Sequence, residues 1–416
     1  MKKLKLSIAL TLVLIIILNF VGCSNGSQSI NLMKDIRAQS VSPSEDISAD
    51  SQRITDFAVR LFQASNESGS NTAISPLSVL YALAMTANGA EGETREQMEE
   101  ALGMSVEELN LYLYTYVNSL AQGEKYQLKL ANSIWFKDDE RFAVNKDFLQ
   151  TNANYYGADI YKAPFNNSTL DDINSWASNK TDGMVPEVLD KLSEDAVMYL
   201  VNALAFEAEW VDIYDEKSVS DSVFTKEDGT EQNVSLMSSK ESTYIKDDKA
   251  TGFIKYYNGG KYAFVALLPN EGVTVSEYVN SLDGESVATM LANAEYKTVL
   301  TKTPKFETEY KIEMADALKS MGMTNAFDEI SADFDGIGAY EGSNLYINCV
   351  IHKTYIQVAE QGTKAGAVTV VEMDEYGGEW NPEKPVKVYL DRPFVYMLID
   401  CENNVPFFIG TVMDVS

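Results

Sequence analysis

The 416-residue sequence contains one histidine, His352, and three cysteines, Cys23, Cys349 and Cys401. A single histidine cannot form a multi-histidine metal site, and any Ser-His-Asp or Cys-His catalytic device would have to use His352. Three cysteines cannot build a disulfide framework. We therefore expect neither a metal nor a cofactor.

Basic residues are also scarce: 33 Lys and Arg stand against 62 Asp and Glu, which gives a formal net charge of −29. A protein that binds nucleic acid needs a basic face for the phosphates, and electrostatic docking on anionic lipid needs one as well. The charge therefore argues against nucleic acid as a partner. Apolar residues make up 45% of the chain, which suffices for a large buried core.

The N-terminus is typical of an export signal. Three lysines within the first five residues precede an apolar run over 6–20, which is short for a membrane-spanning helix. The sequence VGCS at 21–24 resembles the lipobox of bacterial lipoproteins, although Phe20 stands where that family usually has leucine.

This resemblance implies a bacterial lipoprotein with a signal peptide at 1–22 and a lipid attached to Cys23. The alternatives are a plain secretory peptide and an uncleaved membrane anchor. Residues 23–50 are rich in Ser, Asn, Gln and Asp, and we interpret them as a flexible tether. The domain behind the tether is then extracytoplasmic, either anchored to the membrane by lipid or secreted.

From about residue 51 to residue 416 the sequence predicts one α+β domain. Apolar side chains recur at helical spacing from Ile54 to Phe62, and no Gly/Pro-rich linker divides the body. Further helices are predicted at 77–87, at 95–102 behind a Thr94 cap, and at 171–181. Strands are predicted at 128–136, 197–206, 262–268 and 345–358.

Segments over the whole body resemble the serpin family, in the family's order. The matching segments are NTAISPLS at 71–78, GAEGET at 89–94, INSW at 173–176, NKTDG at 179–183, VNALAF at 201–206 with Trp210, PKF at 304–306, MGM at 321–323, AF at 326–327, EQGTKAGAVT at 360–369, DRPF at 391–394 and FIG at 408–410. No single segment is decisive, but the complete ordered set is strongly specific.

The resemblance implies a single domain with three β-sheets, a helical bundle and an exposed reactive-centre loop near the C-terminus. Most serpins inhibit serine proteases, some inhibit cysteine proteases, and a minority inhibit nothing. An inhibitory serpin offers its loop to the protease, which forms an acyl-enzyme. The cut loop then inserts into the main sheet as a new strand and distorts the tethered protease.

The segment after Glu360 fits such an insertion. Alternate side chains of a strand face opposite sides of a sheet, and one side of this segment carries only small or β-branched uncharged residues. These residues are Thr363, Ala365, Ala367 and Thr369. Gly362 supplies freedom for a hinge, and no proline follows before residue 376.

The family's usual spacing places the scissile bond between Tyr376 and Gly377, an aromatic site that suits chymotrypsin-like or subtilisin-like enzymes. The interval from residue 362 to residue 393 is longer than usual, so Met373 and Glu375 are alternatives.

The resemblance also assigns residues that control the opening of the main sheet. His352 is expected to hydrogen-bond Asn202 and Ser75 between two strands of that sheet. Lys305 and Glu360 are expected to pair at its top, with Trp210 packed beneath them.

Two classes of function compete. The first is a monomeric, membrane-tethered inhibitor of a serine or cysteine endopeptidase. The second is a non-inhibitory serpin-like extracellular binding lipoprotein. An enzyme is not expected, because the only histidine lies in a predicted strand and the chain lacks a Gly-x-Ser-x-Gly elbow.

Overall fold

The computed structural model describes residues 28–193, 196–363 and 384–415. Within these ranges the α-helices are α1 (Ser48–Ser65), α2 (Pro76–Ala87), α3 (Gly92–Leu102), α4 (Val106–Ser119), α5 (Lys146–Tyr156), α6 (Asn167–Lys180), α7 (Val275–Val279), α8 (Gly284–Ala292) and α9 (Ala315–Ser320). The strands are β1 (Ile30–Asn31), β2 (Thr72–Ile74), β3 (Tyr126–Lys137), β4 (Phe142–Val144), β5 (Asp159–Ala163), β6 (Met198–Glu209), β7 (Val219–Thr225), β8 (Glu231–Lys246), β9 (Ala250–Tyr256), β10 (Tyr262–Pro269), β11 (Glu295–Pro304), β12 (Phe306–Glu313), β13 (Gly338–Tyr340), β14 (Cys349–Val358), β15 (Gly362–Thr363), β16 (Val386–Tyr389), β17 (Phe394–Asp400) and β18 (Val405–Val412).

The described strands form three sheets. One has seven strands in the order β1-β5-β3-β6-β15-β14-β12. The second has the order β16-β11-β8-β9-β10-β17-β18-β2, and β7 joins it at β8. The third pairs β13 with β4. We call the first of these the main sheet.

Both faces of the main sheet are covered, which explains why β6 is apolar along most of its length. Leu200, Leu204 and Phe206 face the large core that contains α1, α2 and the second sheet. Val201 and Ala203 face a smaller apolar cluster under α6. The alternation along β6 therefore distributes most of its apolar residues between two cores.

Local sequence signals account for several helix starts. Ser75 caps α2 by accepting a hydrogen bond from the Ser78 backbone N–H, and Pro76 occupies the first turn. The predicted cap at Thr94 is wrong, because α3 begins two residues earlier at Gly92. Thr94 instead lies buried in the first turn, where its hydroxyl accepts a hydrogen bond from the Asp333 backbone N–H at 2.9 Å.

The described part of the predicted tether, residues 28–50, is not a free linker, and its last three residues already belong to α1. Ile30 and Asn31 form β1, which pairs antiparallel with β5 at the edge of the main sheet. Leu32, Met33 and Ile36 pack against the large core. Backbone hydrogen bonds and a few apolar contacts thus hold a segment whose polar composition indicated disorder.

Within the described ranges, no helix combines the length and hydropathy that crossing a membrane requires.

Truncation tests whether the N-terminal segment belongs to the folded domain. A chain that starts at residue 46 loses β1 and the packing of Leu32, Met33 and Ile36, so its melting temperature should fall by several degrees relative to a chain that starts at residue 28. Differential scanning calorimetry on both chains makes the comparison. Equal melting temperatures would restore the tether interpretation.

Candidate reactive-loop hinge and sheet opening

The main sheet has a seam between β6 and β14. These strands run parallel and pair directly from Tyr199/Cys349 to Ala203/Lys353. Beyond that point β15 lies between them, with Thr363 opposite Ala208 of β6 and Val358 of β14. The chain thus leaves β14, turns over residues 359–361, and re-enters the sheet between the two strands.

Gly362 is required at this turn because the backbone of β6 passes very close to it. A Cβ atom at Gly362 would overlap the carbonyl oxygen of Ala208. The close approach lets β15 enter the narrow end of the seam. The sequence predicted that Gly362 supplies conformational freedom for a hinge. The structure gives a steric reason instead, since Gly362 is not among the glycines with positive φ.

His352 lies buried at the lower part of the seam, opposite Asn202 in the β6–β14 register. Its Nε2 accepts a hydrogen bond from the Ser75 backbone N–H at 3.0 Å, and its Nδ1 lies 2.9 Å from the Asn202 side-chain oxygen. Because the Ser75 N–H can only donate, Nε2 carries no proton, and a neutral ring donates from Nδ1. The structure thus brings together the three residues expected here, with the Ser75 backbone as the partner.

The environment of His352 excludes charge. Burial lowers the pKa of His352 to about 3, so the ring is neutral at physiological pH. The Asn202 side-chain oxygen also accepts a hydrogen bond from the Ser78 hydroxyl at 3.1 Å. One imidazole therefore connects β14, β6 and the N-terminus of α2.

At the upper end of the seam, Lys305 and Glu360 form an ion pair. Partial burial is the largest single effect on Glu360 and would raise its pKa, but the hydrogen bond from Lys305, a backbone hydrogen bond and the charge of Lys305 together lower that pKa. Both side chains are about one-third exposed, so the pair stabilises the turn only modestly.

Trp210 directly follows β6 and holds the backbone of the same turn. Its backbone N–H donates to the Gln361 carbonyl at 2.8 Å, and its indole N–H donates to the Ala359 carbonyl at 2.9 Å. Two separate donors from one fully buried residue therefore fix the start of the loop.

Two tyrosines that the sequence did not single out complete this hinge. The Tyr257 ring stacks on Trp210 with centroids 4.3 Å apart, and its hydroxyl hydrogen-bonds the Thr363 hydroxyl. The Tyr214 backbone N–H donates to the Glu360 carbonyl at 2.9 Å. Aromatic residues are common in cores, so no sequence pattern separates these two from the rest.

Several predicted site residues lie outside the described residues. They are Cys23, Ala365, Ala367, Thr369, Met373, Glu375, Tyr376 and Gly377.

Comparison with known families gives the chain its class. The family described as "Serpin (serine protease inhibitor)" matches residues 52–415. The chain therefore belongs to the serpin family, and its three sheets and nine helices within the described ranges are the serpin fold. Serpins are generally protease inhibitors rather than enzymes.

Individual relatives agree with this assignment. The thermophilic serpin tengpin in its native state is 46% identical, with a TM-score of 0.89 over 93% of this chain and all of that one. Tengpin in its latent state gives a TM-score of 0.80 over 90% of this chain and again all of that one. Leukocyte elastase inhibitor A of Mus musculus is 29% identical over 86% of this chain and 97% of its own length.

The pH dependence of stability tests the neutral His352. A histidine whose pKa is lowered in the fold contributes full stability above its ordinary pKa, and that contribution declines as pH falls, because only the unfolded chain takes up the proton. Between pH 7 and pH 5 the wild type should lose about 2 kcal/mol more of its free energy of unfolding than His352→Gln. Urea unfolding followed by tryptophan fluorescence measures both, and parallel pH profiles would contradict the assignment.

Proposed function

We propose that this serpin traps a serine endopeptidase, or a cysteine endopeptidase, as an acyl-enzyme by inserting its reactive loop into the main sheet. The observation that carries the proposal is the position of β15, which already lies between β6 and β14. A strand that continued from Thr363 in the same register would follow the seam.

The register supports insertion with the small residues facing the core. Because Thr363 lies opposite Ala208, a continuing antiparallel strand would place Ala365, Ala367 and Thr369 opposite Phe206, Leu204 and Asn202. These β6 residues face the large core or its buried polar contacts. The small uncharged positions of the loop would therefore face the large core, as insertion requires.

The same register defines the role that we propose for His352 as a latch. β6 and β14 pair directly only as far as Ala203 and Lys353, so residues 364–367 can enter without breaking a β6–β14 pair. Residue 368 would reach Ala203 and Lys353, and Thr369 would lie between Asn202 and His352. Further insertion must therefore break the histidine contact, which makes it a barrier at a defined step.

The proposed bait is Tyr376, with cleavage before Gly377. The protease nucleophile attacks the Tyr376 carbonyl carbon, the bond to Gly377 breaks, and the amine of Gly377 leaves with the C-terminal peptide. An aromatic residue at this position selects chymotrypsin-like or subtilisin-like enzymes. Met373 and Glu375 are the competing positions.

Incubation with chymotrypsin and with subtilisin tests both the mechanism and the bond. We expect a covalent complex that survives SDS, together with a released C-terminal peptide that begins at Gly377 in mass spectrometry. Cleavage without any complex, for a broad panel of serine and cysteine proteases, would favour the non-inhibitory binding protein. A peptide that begins at another residue would reassign the bait.

Two substitutions in the loop provide matched controls for this experiment. Ala367→Glu would bury a carboxylate on insertion, so the variant should be cut as a substrate and form little complex. Lys364→Glu places the same charge on the opposite side of the strand, where the register sets it beside the partly exposed Glu207 and Gln357, and should retain most of the complex. Equal loss in both variants would argue against the proposed register.

We also propose that the protein is a monomeric bacterial lipoprotein, held outside the cytoplasm by lipid on Cys23. The support is the VGCS sequence at 21–24 behind a short apolar run. The strongly acidic domain would then lie near the membrane without adhering to its anionic surface.

Substitution of Cys23 tests the anchor. In bacteria that process lipoproteins, the wild type should appear in the membrane fraction with a mass increased by the lipid, whereas Cys23→Ser should lack that increase. Val21→Leu keeps the cysteine and serves as the control. An unmodified Cys23 in the mature wild type would contradict the lipid anchor. The remaining alternatives would be a plain secretory peptide and an uncleaved membrane anchor.

A further inference from the structure

A buried ion pair lies directly behind the hinge, on the second sheet. Lys255 of β9 donates to a Glu241 carboxylate oxygen on β8 at 2.9 Å. Their side chains are only 2% and 10% exposed. Burying such a pair costs a large desolvation free energy. Stabilisation of the fold alone therefore does not explain why the pair lies here.

On one side the lysine supports the start of the reactive loop. Its ammonium lies 4.4 Å from the centre of the Tyr214 ring and 5.4 Å from that of Trp210. It also donates to the Asp212 carbonyl at 3.0 Å, within the segment that joins these two aromatic residues. Trp210 and Tyr214 in turn hold the backbone of residues 359–361.

On the other side the glutamate supports the strand that follows the loop. The Ser239 hydroxyl donates at 2.5 Å to Glu241, at the carboxylate oxygen that also accepts from Lys255. The same hydroxyl lies 2.8 Å from the Thr301 hydroxyl on β11. β11 pairs in parallel with β16, where Thr301 lies opposite Val388. The pair thus lies between both ends of the loop.

We propose that Lys255 and Glu241 act as a positioning pair that couples the two ends of the reactive loop and so prevents the uncut loop from inserting spontaneously. The inference rests on the proposed inhibitory function. An uncut loop can insert fully only if the turn at 359–361 opens and β16 also separates from β11. A cut loop needs only the first of these movements, because the bond to β16 is already broken.

The coupling predicts a selective effect. Loss of the pair should loosen both ends of the loop together. Spontaneous insertion of the uncut loop, which we call the uncut conversion, depends on both ends. It should therefore accelerate more than insertion after cleavage. Loss of a residue that only stabilised the fold would not accelerate insertion of the uncut loop more than insertion of the cut loop.

The experiment compares wild type with Lys255→Met, Glu241→Gln and Lys255→Arg. Conversion of the uncut protein at elevated temperature is followed by the appearance of a form resistant to urea, with mass spectrometry confirming an intact chain. We expect conversion about tenfold faster in the first two variants and close to wild type in Lys255→Arg. Insertion after loop cleavage, followed by the same urea resistance, should change by less than about twofold.

Lys162→Met is the matched control. Lys162 is a partly buried lysine that also donates to backbone carbonyls and lies over an aromatic ring, but at the distant edge of the main sheet. It should not change the uncut conversion. If Lys255→Met folds poorly, the paired change Lys255→Met with Glu241→Leu removes both charges and retains an apolar core.

Two outcomes would overturn the coupling. Unchanged uncut conversion in all Lys255 and Glu241 variants is one, and equal acceleration of cut and uncut insertion is the other. Neither outcome depends on forming a complex with a protease, since the urea-resistant form is scored directly. A serpin that traps no protease would thus contradict the proposed function and leave this test intact.

Discussion

Direct pairing of β6 with β14 is the constraint on which the rest of the site depends. The two strands are parallel neighbours over a short stretch that ends at Ala203 and Lys353, and β15 holds them apart above it. His352 reinforces the closed stretch by joining both strands to the start of α2. The main sheet is thus closed by direct pairing at one end and holds β15 between the same two strands at the other.

This arrangement separates two kinds of control. The hinge is held by backbone donors from Trp210 and Tyr214 and by the Tyr257 hydroxyl, all of which act on residues 359–363. The proposed latch acts later, at the step where insertion reaches Asn202 and His352. Under the proposed mechanism, the loop would begin to enter at low cost and meet its main barrier only after several residues.

Sequence patterns located the elements that are repetitive or strongly apolar, including α2 and β6. They failed at residues 28–47, because a polar composition indicates disorder while the backbone of Ile30 and Asn31 can still pair with an exposed edge strand. They also missed Tyr214, Tyr257 and Lys255, whose importance lies in what they contact. The resemblance to serpins supplied His352, Asn202 and Trp210, which periodicity alone would have left as ordinary core residues.

The sequence by itself determined the family, the small uncharged side chains at alternate loop positions, and the exclusion of multi-histidine and disulfide chemistry, since these depend only on residue identity and order. The tertiary structure decided the register at Thr363, the tautomer of His352 and the location of the Lys255–Glu241 pair between both ends of the loop. Each of these depends on contacts between segments far apart in the chain, and the strength of such contacts depends on burial that no local pattern records.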